Sequence, residues 1–458
     1  MLDFVIKENH DEWKQDCKER FTSMKKRAWH TFLLIVLLGC ASTPDNGSVS
    51  LTATDVPNIS IQPSITSQPP LPVPVTETLT QLEINQECIE TKSDSQKNSE
   101  GILVFQKEYG SRLVFVDNQT GNQKFVPDDA NAKVWGAYVS PNGKWLIYEL
   151  DPGDRSGEHK FILAKADGIT QEEMLFGDWN VSSIFWLNNN ALRVTQPDNA
   201  VTYISNFTLD PFNGAKVPLR SDFPGIEGRG IDWGIDRNAI ELGVTKGINI
   251  IYDPTLTRVL YPRNDNSVSL FNLETNQEIA KLSAPGRGRL PKWSPDGRQI
   301  AIIGTMSDSS KGEILDEFLL VSRDGSDAKR LSFPSSVFKK VHIEDYSWSP
   351  DGSRVAFWLK TDNTTSTTAQ NPVELAVLDL ETNEITNYCI SGTTTIEYET
   401  YTDLVNILWS PDGTQLLIVR YNNEDNKNTD EVIVDLTNKT AYKVAENMQP
   451  IGWMISEQ

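Results

Sequence analysis

From about residue 101 onward the chain is punctuated by short apolar runs, each set off by a cluster of Pro, Asp or Asn, and Gly. Runs this short, bounded by turn formers, read as buried strands joined by tight hairpins. Three stretches repeat almost residue for residue: Trp293-Ser294-Pro295-Asp296-Gly297 before Ile300-Ala301-Ile302, Trp348-Ser349-Pro350-Asp351-Gly352 before Val355-Ala356-Phe357, and Trp409-Ser410-Pro411-Asp412-Gly413 before Leu416-Leu417-Ile418. Val139-Ser140-Pro141-Asn142-Gly143 is a fourth copy, and weaker ones start at Trp186 and Tyr252. In each motif Pro presets φ, Asp or Asn accepts local backbone bonds, and Gly takes the left-handed position that a Cβ disfavours. A further strand and tight turn follow, as in Phe318-Leu319-Leu320-Val321 before Arg323-Asp324-Gly325, and a last short strand completes a unit of four.

These residues resemble the Trp-Ser-Pro-Asp-Gly repeats of TolB-type β-propellers, relatives of the WD-repeat propellers. The resemblance spans roughly residues 101–455 and implies an all-β fold of four-stranded blades, with Trp293, Trp348 and Trp409 in blade cores. First-strand anchors at 139, 186, 252, 293, 348 and 409 lie 41 to 66 residues apart, bracketing a usual blade period of about 40–45. After them, Ile451-Gly452-Trp453-Met454 is a first strand with nothing behind it, whereas residues 102–126 supply three strands without a first. Completing one blade from both termini removes an exposed sheet edge. Seven blades are expected, with six or eight as alternatives; 219–247 is either an inserted hairpin or an eighth, degenerate blade.

Ahead of the repeats, Met24-Lys25-Lys26-Arg27, an apolar run to Leu38, and Leu37-Leu38-Gly39-Cys40 stand in the order of a cationic, apolar and cleavage region. The run is too short to span a bilayer. This resembles a bacterial lipoprotein signal, which implies cleavage before Cys40 and lipid on its thiol. Residues 1–23 do not fit the scheme, and Met24 is the expected start, so 1–39 reads as a non-native extension plus signal peptide. Residues 40–85, rich in Ser, Thr and Pro, read as a disordered tether; 86–100 is a connecting segment and 101–458 the propeller.

Charge narrows the function. With 42 basic against 63 acidic residues, a net of −21, the chain lacks the cationic surplus that neutralises phosphates, so nucleic acid is not an expected partner. Four Cys and four His leave no multi-Cys zinc module, and no metal or cofactor is expected. Cys88 and Cys389 are a candidate disulfide, which an extracytoplasmic location permits. Long segments (149–160, 305–316, 360–372, 421–430, 283–290, 334–344 and 390–404) fall between second and third strands or between blades. They gather on one end of a propeller, a pattern expected of a binding face. Two of these segments are basic and flank the same blade: Arg287 and Arg289 in one, and Lys339, Lys340 and His342 in the other, a candidate site for an anionic ligand. No Gly-x-Ser-x-Gly elbow occurs, and no catalytic residue is assigned. The expectation is a monomeric, non-enzymatic propeller, lipid-anchored in the bacterial cell envelope, with a protein or glycan partner on the long-segment face. A surface carbohydrate-active enzyme using funnel carboxylates is the alternative.

Overall fold

In the computed structural model of the protein the described residues are 76–92 and 100–455, apart from 108–109, 152–159, 169, 175–182, 198–203, 220–249, 263–266, 284–288, 363–372, 393–394, 398–401, 405–406 and 422–427. Cys40, Arg287 and most of the questioned segment 219–247 lie outside them.

Seven four-stranded antiparallel units occur among the described residues. Blade 1 joins the two ends of the repeat region: Gln449–Met454 pairs with Ile102–Gln106, followed by Leu113–Asp117 and Gln123–Val126. Blade 2 is Lys133–Val139, Trp145–Asp151, Lys160–Lys165 and Gln171–Met174; blade 3 is Ser183–Asn188, Ala191–Pro197, Ile204–Leu209 and Lys216–Pro218. Blade 4 is Ile251–Tyr252, Arg258–Pro262, Val268–Asn272 and Gln277–Leu282; blade 5 is Arg289–Trp293, Gln299–Asp308, Glu313–Ser322 and Asp327–Ser332. Blade 6 is Lys340–Trp348, Arg354–Thr361, Val373–Asp379 and Glu384–Gly392; blade 7 is Leu408–Trp409, Gln415–Tyr421, Thr429–Asp435 and Thr440–Glu446. A small hairpin, Thr395–Glu397 with Thr402–Leu404, stands between blades 6 and 7.

The apolar core follows the blades around a circuit. One cluster joins blades 1 and 2 through Val104, Phe115, Leu146 and Tyr148, the next joins 2 and 3 through Ile147, Leu163 and Val194, and Tyr252 and Tyr261 of blade 4 pack with Leu187 of blade 3. The remaining clusters join blades 4 and 5, 5 and 6, 6 and 7, and 7 and 1. Outside blade 3 each middle strand feeds two clusters, because successive side chains point to opposite faces: Ile300 and Ile302 face blade 4 while Ala301 and Ile303 face blade 6. Burial on both faces is why these strands read as unbroken apolar runs.

The motif residues build the frame. Ser294 Oγ donates to Asp296 at 2.6 Å and accepts from the Gln299 N–H, Asp296 accepts from the Arg298 N–H, and Gly297 sits at φ +68°. The turns at 349–353 and 410–414 repeat this, and Asn142 takes the Asp role at 140–144. The motif Trp does more than fill a core. Trp186, Trp293, Trp348 and Trp409 each donate the indole N–H to a first-strand carbonyl of the preceding blade, those of Tyr138, Ile251, Lys292 and Ser347, at 2.9–3.3 Å. The innermost strands are thereby pegged one to the next.

The folded part begins earlier than expected. Residues 76–85, assigned above to a disordered tether, form β1 (Thr76–Gln81) and most of β2 (Glu83–Gln86), and the connecting segment supplies Gln86 and β3 (Thr91–Lys92). Each lies parallel to the outermost strand of a blade: β1 on blade 5, β2 on blade 6, β3 on blade 7. Leu82 inserts between blades 5 and 6, Ile84 packs beside it, and Ile89 packs between blades 6 and 7. The chain thus runs as a strap across three rims before entering blade 1. Cys88 and Cys389 join the strap to blade 6 as a disulfide with Cα atoms 4.8 Å apart. Pro69, Pro70, Pro72 and Pro74 precede β1; having no N–H, proline cannot extend such a ladder.

Candidate binding face

In an antiparallel blade, the links between second and third strands and between successive blades emerge at the same end. At blades 5 and 6 that end is ordered by pairing. Thr305 to Asp316, read above as a long segment, instead extends the hairpin: Thr305 pairs with Asp316 and Asp308 with Glu313, leaving a turn of 309–312. Thr305 Oγ1 donates to Asp316 at 2.6 Å. The strand Glu313–Ser322 also pairs in parallel with Lys340–Trp348 through Ile314 and Leu315.

Two of the basic residues singled out from the sequence, Lys339 and His342, meet carboxylates here. Lys339 Nζ is 2.8 Å from Glu313 and donates to the Ser335 carbonyl. His342 Nδ1 is 2.7 Å from Asp316 Oδ2, and its Nε2 is 3.4 Å from Glu344. Asp316, 1% exposed, also accepts from the Ile343 N–H. Hydrogen bonds to Asp316 and then Glu344 hold the His342 pKa up at about 9, against a lowering by burial. Lys340 is exposed at the start of its strand. Arg289 opens blade 5, with its side chain outside the described residues. Lys292, below it, contacts Asp345 at 2.7 Å and the Tyr346 carbonyl. Lys339 and His342 therefore present compensated charge.

A concavity that the sequence did not reveal opens at the same end, on the seam between blades 7 and 1. It has a volume of about 530 Å³ and is lined by Lys107, Ser111, Arg112, Val114, Phe125, Glu446, Asn447 and Met448. Val114 and Phe125 are cross-strand partners and form its apolar wall. Phe125 remains 46% exposed, with the Arg112 guanidinium 4.7 Å above its ring. The segment carrying Lys107 and Arg112 is pinned from beneath: buried Gln106 donates to the Ser111 and Val134 carbonyls at 2.8 and 2.7 Å.

The opposite lip is held by a buried acid. Glu431 is 0% exposed; its Oε1 accepts from Thr429 Oγ1 and the Met448 N–H, while Oε2 has no hydrogen-bond partner. Burial pushes this carboxyl up to about 7, against the bonds from Thr429 and Met448. Asn447, at φ 55°, exchanges further bonds with Thr429. The neighbouring Asp430 is ion-paired with Arg420 and Lys443. Two adjacent acids in unlike environments invite an acid–base reading, but Glu431 is enclosed and consecutive strand residues face opposite ways. Among the described residues no group of three or more His, Cys, Asp or Glu is placed to hold a metal ion.

No protein-family model matches the chain, and neither does any curated protein. Among solved structures it is similar to an oligogalacturonate lyase from Vibrio parahaemolyticus, with 12% identity over 75% of this chain and 86% of that one and a TM-score of 0.46. It is also similar to TolB from Acinetobacter baumannii, with 11% identity over 83% and 97% and a TM-score of 0.37. Both are similarities of fold, and no activity or partner passes from them to this chain.

Proposed function

We propose that the protein is a lipid-anchored β-propeller of the bacterial cell envelope, acting as a non-enzymatic binding scaffold through the end where the seam cavity opens. The observation that carries this reading is a division of labour between the two ends. The Ser-Pro-Asp/Asn-Gly turns at one end are consumed by internal hydrogen bonds, whereas the other carries the extended hairpin and the cavity. Rigid scaffolds commonly place recognition on such an end. The Cys88–Cys389 disulfide supports an oxidising, extracytoplasmic compartment, and the Lys25-Lys26-Arg27 to Cys40 order supports the anchor.

Two measurements test this. Labelled fatty acid should enter the wild type and not Cys40→Ser; equal labelling of both removes the anchor. A photo-crosslinking residue at Lys311, on the proposed face, should trap partners in intact cells, and one at Arg298, on the opposite end, should not. Trapping at Arg298 alone, or polysaccharide cleavage by the purified protein, overturns the reading.

A further inference from the structure

The seam cavity has a chemistry of its own. Its wall of Phe125, Val114 and Met448 is apolar, and Lys107 and Arg112 line it from one side. Glu446 lies opposite, ion-paired at 2.8 Å with Lys443 Nζ, which also meets Asp430; Arg420 pairs with Asp430 as well, so two bases face two acids there. With Lys107 and Arg112 added, the balance around the cavity is cationic, in a chain whose net charge is −21. Arg112 lies over the Phe125 ring and donates from Nη1 to the Asp128 carbonyl at 3.1 Å, so one side of the site sets an aromatic ring beside a guanidinium. A volume of about 530 Å³ falls within the range of about 300–1,000 Å³ usual for small-molecule sites.

On each lip described residues are held by the fold's own hydrogen bonds, Ser111 by the Gln106 amide on one, Met448 by Glu431 and Asn447 by Thr429 on the other. Preorganisation of this kind lowers the ordering cost of binding. We infer that the cavity between blades 7 and 1 binds a small amphipathic anion, a flat apolar group carrying a carboxylate or phosphate. Its ring packs on Phe125 and Met448, and its acid meets Arg112 and Lys107. This inference rests on the reading of that end as the binding face, and it adds the ligand class.

The test uses the whole protein with methionine methyl groups isotope-labelled, because Met448 lines the cavity whereas Met174 and Met454 are buried in the cores joining blades 2 to 3 and 1 to 2. Phenylbutyrate and phenyl phosphate are the probes; phenylbutyramide lacks the charge and butyrate lacks the ring. Saturable movement of the Met448 signal by the first two is expected, with Met174 and Met454 unmoved. The amide should bind about fivefold or more weakly, as should phenylbutyrate to the Lys107→Gln/Arg112→Gln variant, in line with losing partly exposed charge contacts, and butyrate likewise because it loses the apolar contact. No movement at Met448, or equal affinity for the amide, overturns the proposal. Unmoved Met174 and Met454 signals in the double variant establish that it is folded. Crosslinking at Lys311 with no probe binding would leave the binding face standing and remove only the ligand class.

Discussion

Glu431 gives the most direct test of the energetics. It is fully enclosed, one of its oxygens has no partner, and its folded pKa is about 7 against an ordinary 4.5. Below pH 4.5 both folded and unfolded chains hold the proton. Between 4.5 and 7 the folded chain keeps it while the unfolded chain releases it, so stability falls as pH rises through this window and is level above it. At about 1.4 kcal/mol per unit, the loss is on the order of 3 kcal/mol. Glu431→Gln keeps a carbonyl oxygen for Thr429 and Met448 but does not titrate. We expect urea unfolding of the variant at pH 8 to show about 1–3 kcal/mol more stability than wild type, after discounting for the unpartnered amide. At pH 4.5 that advantage should vanish. Parallel stability–pH curves for the two proteins between pH 4.5 and 7 would refute the reasoning.

Three further outcomes follow from the packing. Trp348→Phe keeps most of the ring volume but leaves the Lys292 carbonyl without its indole donor, a loss of about 1–3 kcal/mol readable as a shifted urea midpoint. In Gly392→Ala the new Cβ would stand 1.9 Å from the ring of Trp358, itself 1% exposed, so overpacking should cost about 1–3 kcal/mol or more, seen as a lowered Tm. Cys389→Ser removes a crosslink closing 301 residues and should cost about 2–4 kcal/mol; limited proteolysis should then cut within 76–92 before the blades.

What could be read from the sequence follows from how local each feature is. The Ser-Pro-Asp-Gly turns complete their hydrogen bonds within five residues, so their chemistry is written contiguously, and the pairing of 449–454 with 102–106 was implied by two incomplete sets of strands. The strap was not legible. An added rim strand leaves much of its surface in water, and Thr76-Glu77-Thr78-Leu79-Thr80-Gln81 has the composition of a linker; the one strong signal, Leu82, is a single buried residue. The Asp316–His342 pair and the seam cavity join residues brought together only by blade packing. Lys339 and His342 were identifiable as charges, but their carboxylate partners at Glu313 and Asp316 lie 26 residues away in each case and mark no motif.

The strap also determines how the molecule carries load. A pull applied ahead of Thr76 enters at the rim of blade 5 and acts along β1, whose parallel ladder runs from Asp327 to Ser332. Bonds loaded along the strand share the force instead of parting one by one. Whatever passes β1 and β2 reaches Cys88 and is handed through Cys389 to blade 6. The tension is therefore taken up thirteen residues short of Gly101, and the pairing of Ile102–Gln106 with Gln449–Met454, where non-covalent bonds join the two ends of the repeat region, lies outside the loaded path.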